Sequence, residues 1–162
     1  MANFLYPGYK DNLNHVREVT MKTRWIIVLT FASLAGAPVR SDEKPGDKDT
    51  IQGNWNIVSL EGNGEKVPAE KVKGKIIITA TKITFTFDKD EASYKLDPSK
   101  KPKHFDLVAK GKTIPGIYLL EGDNLKLCWD ASDKAVRPTQ FNSKGGPNTD
   151  YRLLVLKREK KK

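Results

Sequence analysis

Downstream of residue 50 the chain offers one histidine, His104, and one cysteine, Cys128. A zinc site built of His and Cys needs three or four such ligands, so this segment cannot assemble one within a single chain. His104 could act as a base for a Ser or Cys nucleophile, but no Gly-x-Ser-x-Gly elbow accompanies it. It reads instead as a position on an exposed strand face, next to Phe105 and close to Lys101 and Lys103. The carboxylates Asp88, Asp90, Glu91, Asp97 and Asp106 cluster at apparent turns, where Asp normally serves the backbone, and no acid/base pair stands out. Lys144-Gly145-Gly146-Pro147 is a turn rather than a phosphate cradle. These residue types point away from an enzyme and call for no metal and no organic cofactor. The lone Cys128 cannot form an intramolecular disulfide, so the fold rests on its core. A buried, inert thiol on a strand is the ordinary reading; an intermolecular disulfide is the alternative.

The elements that would position these residues are strands. Ile76, Ile78 and Ala80 alternate with Lys75, Ile77 and Thr79, and Ile83, Phe85 and Phe87 alternate with Lys82, Thr84, Thr86 and Asp88. A period of two with one apolar and one polar face is strand chemistry. Similar runs cover 55–60, 92–96, 103–108, 116–121, 124–130 and 151–157, giving eight strands. The breaks between them are short and turn-like: Gly62-Asn63-Gly64, Asp88-Lys89-Asp90, Asp97-Pro98, Lys110-Gly111-Lys112 and Gly122-Asp123. Short breaks favour antiparallel neighbours. Residues 68–73 (PAEKVK) suit a helical turn, and 132–150 form the one sizeable loop. Such a meander must hide its edges, and an all-β, antiparallel up-and-down barrel of about eight strands does so most simply.

Upstream, the grammar changes. Met21, Lys22 and Arg24 precede the apolar run 25–34 (WIIVLTFASL) and the small residues Ala35-Gly36-Ala37, which reads as a signal peptide over 21–37. The apolar run is about half the length that a spanning helix needs. Cleavage after Ala37 would place Pro38 beside the scissile bond, so cleavage after Ala35 is the alternative. No Cys follows for lipid attachment, and soluble export to the periplasm or medium is the expectation. Residues 1–20 show neither signal character nor periodicity, and translation from Met21 is expected. Residues 38–49 are a polar linker, 50–158 the barrel domain and 159–162 a basic tail.

Residues 51–64 (IQGNWNIVSLEGNG) with Val67-Pro68-Ala69-Glu70-Lys71 resemble the opening of a lipocalin-like domain family of unknown function abundant in planctomycete bacteria. Later blocks are similar too: Tyr94-Lys95-Leu96-Asp97-Pro98, Lys101-Pro102-Lys103, Asp106-Leu107, Gly116-Ile117-Tyr118, Gly122-Asp123, residues 125–128 and residues 137–141. The resemblance spans 51–158 and implies a lipocalin-like barrel, but it carries over no catalytic residue. Gly53-x-Trp55 looks like the lipocalin opening signature. A Gly before a strand allows a tight backbone turn, and Trp55 can then plug the closed end of a small barrel. The lipocalin likeness implies a basic residue of the last strand stacked on that Trp, with Arg152, Lys157 and Arg158 as candidates and Arg158 preferred. Such a contact is worth about 0.5–2 kcal/mol. An ordinary core role for Trp55 is the alternative.

Two functions survive. In one, the barrel binds a small hydrophobic ligand in a cavity lined by Phe85, Phe87, Tyr94, Leu107, Tyr118, Leu127 and Trp129. In the other, the same side chains fill the interior, and the domain is a structural or interaction module acting at the cell envelope through its surface. The net charge of +9 is concentrated in part at the C-terminus. The tail suits solubility, with weak contact to anionic envelope polymers or lipid as the alternative. Nucleic acid is not an expected partner, because no base-stacking aromatics are arranged on a surface strand pair. A monomer is expected.

Overall fold

The computed structural model describes residues 45–160. The expected N-terminal extension, the signal peptide, most of the linker and the last two residues of the tail lie outside them. Nine strands follow a four-residue helix, α1 (Asp47–Thr50): β1 (Gly53–Gly62), β2 (Glu65–Lys66), β3 (Lys75–Ile78), β4 (Lys82–Phe85), β5 (Asp90–Asp97), β6 (Lys103–Ala109), β7 (Lys112–Glu121), β8 (Asn124–Asp130) and β9 (Tyr151–Arg158). A 3-10 turn, Ala69–Lys71, falls inside the segment expected to make a helical turn.

All pairings are antiparallel, and each strand from β3 to β8 pairs with the next one in the chain. β1 pairs with β3 on one side and β9 on the other, which closes an eight-stranded barrel and leaves no long edge. β2 is a two-residue continuation of the hairpin at Asn63-Gly64, pairing Glu61 with Lys66. Asn63 and Gly64 both have positive φ, +52° and +83°, as a tight hairpin turn requires.

Alternation sets the two faces. Ile76 and Ile78 of β3, Ile83 and Phe85 of β4, and Leu125, Leu127 and Trp129 of β8 point inward and are buried. Their neighbours Lys75, Ile77, Lys82, Asn124 and Lys126 point out. A register shift between Ile57 and Ser59 marks a bulge in β1, and Val58 stands 62% exposed there.

One feature departs from the sequence expectations. The linker was expected to run to Asp49 as solvated chain, but its last residues form α1, which docks on the barrel through Asp47. The sizeable loop expected over 132–150 is present between β8 and β9. It lies against the outer face of the sheet, where Ile117 and Cys128, although outward-facing, are 0% and 1% exposed.

Candidate functional site

The seven residues expected to line a cavity come together in the barrel interior. Phe85, Tyr94, Leu107, Tyr118, Leu127 and Trp129 belong to one contiguous buried cluster, and Phe87 packs against it, partly buried. Ring centroids of Phe85 and Trp129 are 6.1 Å apart, those of Phe85 and Phe87 6.1 Å, edge to face. Phe105, named from the sequence only as the neighbour of His104 and not as a lining residue, is buried and links the two sides of the cluster: it stacks on Tyr94 at 5.5 Å and meets Tyr118 at 6.5 Å. Its alternation with Leu107 and Ala109 on β6 was a usable signal.

Exposure separates a cup from a plug. A cavity large enough for a ligand leaves its walls in contact with water-sized space inside the barrel. Phe85, Leu107, Leu127 and Trp129 are each 0% exposed and Tyr118 1%, so their surfaces are covered by protein on every side. Tyr94 alone of the six has some outlet, bordering a surface groove with Gly46, Asp47, Lys48, Lys95, Leu96 and Pro98. Its hydroxyl donates to the Thr79 carbonyl at 2.6 Å.

One end of the barrel is sealed by chain. Ile51, just after α1, is fully buried in the core, and its carbonyl accepts from the Trp55 indole at 2.9 Å. Trp55 is paired across β1–β9 with Arg158, whose guanidinium lies over the indole, 4.1 Å from the ring centre. The same guanidinium donates to the carbonyl of Gln52 at 2.7 Å and to that of Thr50, and it meets the Asp123 carboxylate at 3.4 Å. Of the three basic candidates, Arg158 is therefore the one over Trp55. Lys157 points outward, and Arg152 pairs with Asp150 at 2.6 Å. Gly53 makes this arrangement possible: its φ is +132°, and an added Cβ would lie 3.0 Å from Arg158 Nη1.

α1 is pinned at that same end. Asp47 Oδ2 accepts from the Tyr118 hydroxyl and from Lys103 Nζ, both at 2.6 Å, and Lys103 also sits 5.7 Å from the Tyr118 ring centre. Burial pushes the Asp47 carboxyl upward, but the donors Lys103 and Tyr118 and the lysine charge outweigh it, and the net shift is down. Tyr118 moves up, chiefly from burial and then from donating to Asp47.

The strap of residues 131–150 is organised by Asp130, itself fully buried. Its carboxylate accepts from the backbone N–H of Ser132 (2.9 Å), Val136 (2.8 Å) and Asp150 (2.9 Å), tying both ends of the strap to one side chain. Arg137 Nη1 clamps the middle, 2.6 Å from both Asp106 Oδ1 and the Gly116 carbonyl. Beneath it, Cys128 donates to the Asn142 carbonyl at 3.5 Å, and burial raises its thiol to about 11. His104 is half-exposed on the outer face of β6, opposite Asp97 and Ile117. Among the described residues no cluster of three His, Cys, Asp or Glu could hold a metal ion.

Comparison with protein-family models, with curated proteins and with solved structures finds no match to this chain.

Proposed function

We propose that this chain is an exported β-barrel domain whose interior is structural and whose work is done by its outer surface, as an interaction module at the cell envelope. The observation that carries this reading is the mutual burial of Phe85, Leu107, Tyr118, Leu127 and Trp129. These side chains would have to stand apart to admit a guest, because pockets for small molecules occupy roughly 300–1,000 Å³. The seal at the Trp55 end and the burial of Val72, from the segment between β2 and β3, in the same core support this view. Export rests on the run 21–37 and kinship with the planctomycete lipocalin-like domains on the quoted blocks; both are part of the proposal.

Titration with N-phenylnaphthylamine, an apolar dye that brightens in hydrophobic cavities, tests the reading. A filled barrel gives no saturable rise in emission under native conditions. Saturable one-site uptake, displaced by a fatty acid or another apolar competitor, would overturn it in favour of ligand storage.

A further inference from the structure

On the outer face of four adjacent strands, the register sets Lys75 (β3), Asn56 (β1), Lys157 (β9) and Asn124 (β8) in one row: Asn56 is paired with both Lys75 and Lys157, and Lys157 with Asn124. All four are exposed. Cations thus alternate with carboxamides, and the two lysine backbones stand two strand spacings apart, about 10 Å. Exposed Lys126 lies diagonally beside Lys157, reached through Val155. Asn56, Asn124, Lys126 and Lys157 commit no side-chain hydrogen bond or ion pair to the described protein, whereas Lys75 is held by Glu159 at 2.5 Å and remains about half exposed.

We propose that this face binds a linear, carboxylate-bearing polysaccharide, with Lys157 and Lys75 meeting successive acidic sugars and Asn56 and Asn124 hydrogen-bonding the hydroxyls between them. The inference rests on the surface-acting reading and names the surface and its partner. Charge complementarity fixes the sign of the partner, and the row fixes its shape, since cations spaced along a straight line suit a chain with regularly recurring charge. A membrane would be met by apolar side chains set among the cations, but the row offers carboxamides. Single-stranded nucleic acid would need aromatic platforms, and this row has none. Carboxamides, which donate and accept at once, match sugar hydroxyls. Binding displaces Glu159 from Lys75, and because attraction between the lysines and the sugar carboxylates is screened by salt, affinity falls as salt rises.

Calorimetric titration of the full chain with hyaluronan oligosaccharides, which carry one carboxylate per disaccharide, tests this. Dextran oligosaccharides, phosphatidylglycerol vesicles and oligo-dT serve as comparison ligands. Hyaluronan is expected to bind and dextran not. Lys157→Gln should weaken binding roughly tenfold, as the loss of one charged hydrogen bond does, and Lys75→Gln/Lys157→Gln should abolish it. Lys66→Gln/Lys73→Gln, which removes the same charge elsewhere, and Lys160→Gln/Lys161→Gln/Lys162→Gln, which neutralises the tail, should leave affinity within about twofold of the parent. Lys66, Lys73, Lys75, Lys157 and Lys160 are exposed, and thermal melting verifies that each variant folds. Absence of hyaluronan binding, equal loss in the two double variants, loss confined to the tail variant, or tighter binding of vesicles or oligo-dT would each overturn the assignment. Failure here without uptake of the apolar dye removes only this face; dye uptake removes the surface-acting reading itself.

Discussion

Arg158 is the register partner of Trp55 and covers its ring at 4.1 Å, so the last strand closes the barrel on the first through a cation resting on an indole. The guanidinium also satisfies two carbonyls, of Thr50 and Gln52, in the segment that seals this end. Removing it loses the ring contact and leaves both carbonyls short of a donor. Arg158→Ala should cost about 2–4 kcal/mol in chemical denaturation. Arg158→Lys should recover less than half of that, because a compact ammonium cannot cover the ring and reach both carbonyls together. Full stability in the lysine variant would show that the planar fork is irrelevant.

The interior can be probed by truncation. Phe85 is fully buried and touches Phe87 and Trp129. In a packed core, Phe85→Ala leaves a void and should cost about 3–5 kcal/mol. Where a side chain lines an existing cavity, the same change merely enlarges that cavity and costs far less. A loss below about 1 kcal/mol in urea denaturation would contradict the packed interior.

Acid should loosen the strap. The Asp130 carboxyl is driven up by burial but, more strongly in sum, down by the N–H groups of Asp150, Ser132 and Val136, and its net value lies below normal. With the folded value under the unfolded one of about 3.9, the linked stability is present at neutral pH. It is lost as pH falls from about 4 through the folded value. Asp47 shifts the same way and adds to the effect. Asp130→Asn should therefore be less stable than the parent at pH 7 and show a shallower decline between pH 5 and 2, as followed by thermal melting. Parallel curves for the two proteins would remove Asp130 from the acid response.

Cys128 should be silent. Its thiol is 1% exposed beneath the strap, and burial lifts it to about 11. At pH 8 the folded protein should react with iodoacetamide at least about 100-fold more slowly than the unfolded chain. Asp130→Asn, by loosening the strap, should speed the reaction. Labelling of the native parent as fast as the unfolded chain would mean that the strap does not cover the thiol.

Much of the barrel was legible in the chain because its signal is local. Residues 75–80 and 82–88 alternate cleanly, and β3 and β4 fall inside them. The alternation was read only from Gly116; the strand begins at Lys112, and Pro115 is tolerated within it because pairing with β8 stops at Gly116. α1 escaped notice because a four-residue polar turn (DKDT) has no apolar period; only the distant Tyr118 and Lys103 give it a place. The strap is similar: Asp130 reads locally as a strand-end carboxylate, and its three N–H partners reach as far as Asp150. The seven apolar and aromatic side chains of the expected cavity could be named from alternation. Whether they line a space or fill it depends on cross-barrel distances such as Phe85 to Trp129, which alternation does not encode.

The most direct test of a plugged barrel is native mass spectrometry of the chain purified under gentle conditions from the organism that makes it. The measured mass should equal that of the polypeptide alone, with nothing further released on denaturation. A stoichiometric apolar molecule that stays bound in the native spectrum and leaves on unfolding would contradict the account.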